Sequence, residues 1–190
     1  MQWAKAIDGP ALELDAKTLD VKGTLVQTDN GPAYFYKASM SGLQSDTLYA
    51  YRVKGEGNWS EWLQFRTAKT EFKPFSLLYF GDAQNNLKAH FSRLVRSAQQ
   101  QVPQAKLMLH AGDLVNSRYG ILDHEWGEWF DAIGWVGAMT PQLIAAGNHE
   151  YLKSENAKGE ERRELAAQFT AQFQSCLLYT SDAADDSLRV

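Results

Sequence analysis

Three apolar runs in this chain end the same way. Leu77–Asp82 reads LLYFGD, His110–Asp113 reads HAGD and Ala146–Glu150 reads AGNHE. Each run reaches a glycine and then an oxygen-bearing side chain of the kind that binds cations. Three such endings in order point to one site at one edge of a sheet.

The period of the intervening sequence gives that sheet its form. Phe75–Phe80 is a continuous apolar run, as expected of a strand covered on both faces. His90–Gln101 repeats Phe91, Leu94, Val95 and Ala98 at helical spacing, and Pro103 closes it. Lys106–His110 is a second buried strand, His124–Ile133 a helix with Trp126, Trp129, Phe130 and Ile133 on its stripe, and Pro141–Ala146 a third strand. The order βαβαβ predicts parallel pairing with right-handed crossovers. Ligands of such sheets gather beyond the carboxyl ends of the strands, where Asp82, Asp113 and Asn148 fall.

Those residue types suit a pair of metal ions. Two cations held ~3.5–4 Å apart repel, so their site needs shared anionic ligands. Asp82 and Asp113 supply carboxylates. Amide oxygens from Asn148 and Gln84 fill the shell without making it too negative for a phosphate. The glycines before Asp82, Asp113 and Asn148 are expected to allow tight turns and close backbone approach. Ions so placed acidify water and polarise phosphate oxygens.

Gly81-Asp82-Ala83-Gln84, Gly112-Asp113 and Gly147-Asn148-His149-Glu150 resemble the first three blocks of the calcineurin-like metallophosphoesterases. The β-rich segment in front makes the purple acid phosphatase branch the most similar. The resemblance implies a phosphomonoesterase with a dinuclear centre of Fe, Mn or Zn and direct attack by a metal-held hydroxide. Asp82 would bind the first ion, Asp113 would bridge both and Asn148 would bind the second. His149 would stand beside the phosphate, with Glu150 orienting its ring or raising its pKa. Two departures matter. Gln84 stands where many members have His and the purple members have Gly, which makes its amide a candidate ligand. Asn116 stands where the purple members carry a tyrosinate, which removes the reason to expect a committed ferric ion. The family's remaining histidine ligands, in later blocks, have no counterpart after Glu150, so this chain is expected to turn over weakly or not at all. The alternative is a non-catalytic binding module with a degenerate phosphoesterase half. A Gly-rich phosphate loop, as in nucleotide-binding domains, does not follow the first strand.

The first seventy residues read differently. Leu25–Gln27, Ala33–Lys37, Thr47–Val53 and Trp62–Arg66 are short and rich in aromatic or β-branched residues, with turn signals between them. They predict an all-β sandwich. Gly42–Val53 and Trp62–Thr67 resemble late strands of a fibronectin type III domain. Such a sandwich needs roughly 100 residues, so the opening strands are expected to be missing and the module partial. Tyr49, Tyr51, Trp59 and Trp62 are read as strand packing, with an aromatic surface for a glycan or partner as the rival.

The expected division is 1–70 for the partial β-sandwich, 71–175 for the front of the phosphoesterase domain (an incomplete α/β/β/α sandwich) and 176–190 for a non-native tail. Cys176–Asp185 resembles the translation of a transposase sequencing adapter, so Cys176–Val190 is set aside. Before it, Ser154–Gly159 reads as a loop and Glu160–Phe173 as a helix with acidic residues at its positive end.

The net charge of −4 carries no electrostatic footprint for nucleic acid. No apolar run approaches the roughly 20 residues of a bilayer span, and Met1–Pro10 lacks the pattern of a signal peptide. Extracellular or periplasmic placement is implied by the resemblance alone. The single cysteine allows no internal disulfide. His110, inside an apolar strand, reads as a core histidine, His90 and His124 as surface or capping groups, and Arg118 as a solvated loop residue.

Overall fold

The computed structural model describes residues 1–7, 11–117, 122–155 and 161–173. Arg118, Tyr119 and the Cys176–Val190 segment lie outside the described residues.

The β-rich part comprises β1 (Gln2–Lys5), the short helix α1 (Ala11–Leu14), β2 (Lys17–Thr18), β3 (Gly23–Thr28), β4 (Gly31–Tyr36), β5 (Leu48–Arg52) and β6 (Leu63–Arg66). Strands β2-β1-β5-β6 form one antiparallel sheet and β3-β4 a separate hairpin. The four expected strands are present, and two that sequence reading missed join them. β1 is short and carries only Trp3 and Ala4 as buried apolar residues, too little for a period-two signal. It nevertheless pairs with β5 along its length, Gln2 opposite Arg52 and Lys5 opposite Tyr49. Tyr49 is buried, stacked on Phe65 at 5.9 Å and edge-on to Trp3 at 5.7 Å between ring centroids.

Trp59 and Trp62 serve packing of another kind. The Arg52 guanidinium lies 4.7 Å from the Trp59 ring centroid and 4.5 Å from that of Trp62. Its Nε donates to Gln2 Oε1 and its Nη1 to Glu13 Oε1, each at 2.9 Å. A planar cation between two indoles gains both cation–π attraction and apolar contact. Arg52→Ala is expected to cost about 1–2 kcal/mol in urea denaturation. Arg52→Lys should recover less than half of that, because an ammonium cannot stack on two rings at once.

The second part begins with β7 (Leu78–Phe80), followed by a wide π-helical turn (Leu87–Phe91) that leads into α2 (Ser92–Gln101). Then come β8 (Met108–His110), α3 (Asp123–Met139), β9 (Gln142–Ile144), β10 (Tyr151–Glu155), β11 (Glu161–Leu165) and α4 (Ala167–Gln172). Strands β7-β8-β9 are parallel, as the alternation with helices predicts. Leu78, Phe80, Met108 and His110 face a core filled from the helices by Leu87, Phe91, Val95, Trp126, Trp129, Ile133, Val136 and Phe169.

Two expectations are corrected. The apolar run of β7 is not covered on both faces: Tyr79 is 64% exposed, its neighbour across two strands Leu143 is 57% exposed, and Phe75 and Leu77 share that open side. A run of apolar residues records that both faces prefer burial, and only one is buried by the elements described. The expected Glu160–Phe173 helix is a strand over Glu161–Leu165 and a helix only from Ala167. Tyr151–Glu155 offers a full antiparallel partner, Tyr151 opposite Leu165 and Glu155 opposite Glu161. That pairing overrides the local helical spacing. Phe169 and Phe173 still reach the core, against Trp126 and Trp129.

Helix α3 joins the two parts. At its start Asp123 N–H donates to Asp29 Oδ1 at 2.8 Å, and Asn30 N–H returns a bond to Asp123 Oδ2 at 3.0 Å. Near its end Ala138 O accepts the Tyr51 hydroxyl at 2.6 Å.

Candidate metal centre

The last residues of β7, β8 and β9 stand level, Phe80 beside His110 beside Ile144. Three backbone bonds carry that alignment into the loops: Ala111 N to Phe80 O at 2.8 Å, Ala145 N to His110 O at 2.9 Å, and Asp82 N to Gly112 O at 3.3 Å. Asp82 and Asp113 therefore leave neighbouring strands on the same edge. Both adopt left-handed backbone, at φ 50° and φ 51°. Only a few per cent of non-glycine residues do so, at a cost of about 1–2 kcal/mol each, and such strain persists where the surroundings over-determine it.

The glycines differ in what they permit. Gly112 has φ 93°, and a Cβ on it would overlap the backbone of Gly147. A Cβ on Gly147 would overlap the carboxylate and amide of Asp113. These two residues let the second and third loops touch. Gly81 has no such role: the nearest atom to a Cβ there is Ala111 Cβ at 3.8 Å, an ordinary contact. The expectation of close approach holds for two of the three glycines.

Glu150 is fully buried beneath this edge. Its Oε2 accepts from Asp113 N at 2.9 Å and Gly147 N at 2.7 Å, and its Oε1 accepts from Leu114 N at 2.8 Å. Burial pushes its pKa up, the three amide bonds pull it down, and the Asp113 charge pushes it up again. Asp113 in turn accepts His149 N–H on Oδ1 at 3.0 Å, and the Gln84 amide stands 3.5 Å from its Oδ2.

The His149 ring is oriented by a group the sequence could not announce. Nδ1 lies 2.9 Å from the carbonyl oxygen of Asn116. A carbonyl only accepts, so Nδ1 carries the proton and Nε2 is left for chemistry. The expectation that Glu150 orients this imidazole is corrected, because its carboxylate is taken up by the three amides. Asn116 acts here through its backbone, and a backbone carbonyl leaves no mark in residue identity.

His110 is a core histidine, as read. Gln142 Nε2 donates to Gly137 O at 2.9 Å, which turns Gln142 Oε1 toward His110 Nε2 at 3.0 Å. His110 Nε2 therefore carries the hydrogen, and the buried Nδ1 finds no partner among the described residues. Burial holds its pKa down to about 4, against the weaker upward pull of the Gln142 bond.

The structure thus gathers Gln84, Asp113, His149 and Glu150 into one bonded group, brings Asp82 to the same edge through its backbone, and leaves Asn148 exposed between Gly147 and His149. Two carboxylates and two amides make an oxygen donor set that fits hard, oxygen-seeking ions. Among the described residues, no group of three His, Cys, Asp or Glu side chains is arranged to hold a metal unaided. Of the four, only Gln84 and Asp113 are joined side chain to side chain.

Comparison with known proteins identifies the family and the fold. Residues 2–67 match the family model of the purple acid phosphatase N-terminal domain, and residues 75–184 match that of the calcineurin-like phosphoesterases. No curated protein matched. Five chains of solved structures did. One is the purple acid phosphatase PPD1 isolated from yellow lupin (Lupinus luteus) seeds, at 15% identity and a TM-score of 0.62. The match covers 82% of this chain and 31% of the lupin chain, so this chain spans about a third of that structure's length. With a matching phosphoesterase model over more than half its residues and a purple acid phosphatase N-terminal domain ahead of it, the chain belongs to the calcineurin-like phosphoesterase family.

Proposed function

We propose that the protein carrying this chain hydrolyses phosphate monoesters at a two-metal centre. The family typically binds such a centre. The ions would be Fe, Mn or Zn, with Asp82 and Gln84 on the first, Asp113 shared and Asn148 on the second. When bound, they supply Lewis acidity toward phosphate oxygens and acidify water.

The observation that carries this reading is the fixed tautomer of His149. Its ring is anchored by Nδ1–H on Asn116 O while its backbone N–H holds Asp113 Oδ1. One residue is thereby tied both to the expected bridging carboxylate and to a ring with a single free nitrogen. Nε2 can hold a proton and pass it to a departing alkoxide without the ring turning, as general acid catalysis requires. Asn148 follows Gly147 on the same loop and is exposed, which supports the role given to it here.

The second reading, a binding module without turnover, has one observation in its favour. Of the four histidines in the chain, His90, His110, His124 and His149, only His149 lies on the ligand-bearing loops. Calorimetric titration with Mn2+ separates the two. The wild-type chain should bind, and Asp113→Ala should lose at least tenfold in affinity, the least expected of a lost direct ligand when a supporting residue alone is worth 10–100-fold. Equal heats from both proteins would remove the metal reading. Turnover of a chromogenic phosphate ester by the 190-residue chain is expected to be weak or absent.

A further inference from the structure

We infer that Glu150 is a positioning residue that fastens the second and third ligand loops to each other and holds Asp113 in its left-handed conformation. This rests on the metal reading only for its consequence, the geometry offered to a cation. The fastening itself is seen in the bonds.

Each loop contributes to one buried carboxylate. Asp113 and Leu114, after β8, donate two amides, and Gly147, after β9, donates a third, all within 2.7–2.9 Å. Glu150 Oε2 is shared between the loops, while Oε1 serves Leu114 alone. The residue is sealed from water, so no solvent molecule replaces it as acceptor. Three buried amides without acceptors would each carry a desolvation penalty. The left-handed turn at Asp113 points successive amides to one side, as a nest for an anion does, and Glu150 is that anion. The glycines complete the device: the contact of Gly112 with Gly147 brings the loops near enough for one carboxylate to span them. The Asp113 side chain springs from the same turn and is aimed by this arrangement, and His149 N–H then fixes one of its oxygens. Glu150 acts through Asp113 and does not touch the cation site itself.

The test uses Glu150→Gln on the full chain. A glutamine has one acceptor oxygen. Placed at the shared position it keeps the bonds from Asp113 and Gly147 and turns an NH2 toward Leu114 N–H. Backbone amide exchange should therefore quicken at Leu114 first, with core amides such as those of Trp129 and Val95 unchanged. Mn2+ affinity should fall by 10–100-fold, the usual effect of removing a residue that orients a ligand, with the melting curve still cooperative. Glu150→Asp, which retracts the carboxylate by one methylene, should loosen all three amides and keeps the test open if the glutamine variant fails to fold. A lower melting temperature with unaltered Mn2+ affinity would make Glu150 merely structural and overturn the inference. Unaltered exchange at all three amides would overturn it as well. If the wild-type chain binds no Mn2+ but the three amides still loosen in the variants, the fastening stands and the metal reading falls.

Discussion

Gly147→Ala is expected to lower the melting temperature by roughly 6–12 °C, corresponding to about 3 kcal/mol of overpacking, and to abolish Mn2+ binding. The added methyl group has no free space. It meets the amide nitrogen and the carboxyl group of Asp113, both already committed to Glu150 and His149. Either the third loop lifts away and breaks the Gly147 bond to Glu150, or Asp113 turns out of the site. Both outcomes separate the donors. Gly81→Ala is the control, since its methyl group would rest 3.8 Å from Ala111 Cβ. It should change stability by no more than about 0.5 kcal/mol. Thermal melts of the two variants side by side decide the matter. Equal losses would mean that the contact between Gly147 and Asp113 is not what sets the cost.

Acidification should weaken the fold through His110. Its folded pKa is near 4 against an ordinary 6.5. Above pH 6.5 the imidazole is neutral in both states and the buried ring is tolerated. As pH falls from 6.5 to 4 the unfolded chain takes up a proton that the folded chain refuses, so stability declines across that window. The loss amounts to on the order of 3 kcal/mol once pH is below 4. Glu150 acts in the opposite sense: its raised pKa means that the folded chain gains protons more readily than the unfolded one as pH falls. The two contributions separate by substitution. Urea denaturation at pH 7, 5.5 and 4 should show a steeper decline for the wild type than for His110→Gln. Parallel declines would assign the acid sensitivity elsewhere.

The sheet edge where the candidate ligands lie was legible because its signal is doubly redundant. Each strand end is marked by an apolar run and by the Gly-then-oxygen pattern that follows, and the parallel order of β7, β8 and β9 follows from the helices between them. The same redundancy was missing for β1, which has two buried residues and gains its place from pairing with β5, nearly fifty residues away. It was misleading for Glu161–Leu165, because the four-residue spacing of Leu165, Phe169 and Phe173 fits one long helix as well as a strand running into a short one. Within the candidate site, residue type named candidate donors but not the bonds among these residues. Glu150 beside His149 in sequence suggested a pair, yet the intervening turn sends one side chain inward and the other out. The anchor of His149 is a main-chain oxygen from another loop, and the partner of His110 is a glutamine on the next strand. Such partners are set by register, which a single sequence does not state.

The open side of the parallel sheet links these properties to concentration and company. Tyr79, Leu109 and Leu143 form a row across all three strands that bear the ligand loops, and water wets two of them over more than half their surface. Any layer that dries this row, whether more polypeptide or another molecule, is bound only by the folded sheet and so stabilises it by mass action. Stiffer strands would hold the Asp82 and Asp113 turns more firmly in place. Under the proposed metal reading, cation affinity measured with the row wet is then a floor, and it should rise when the row is covered.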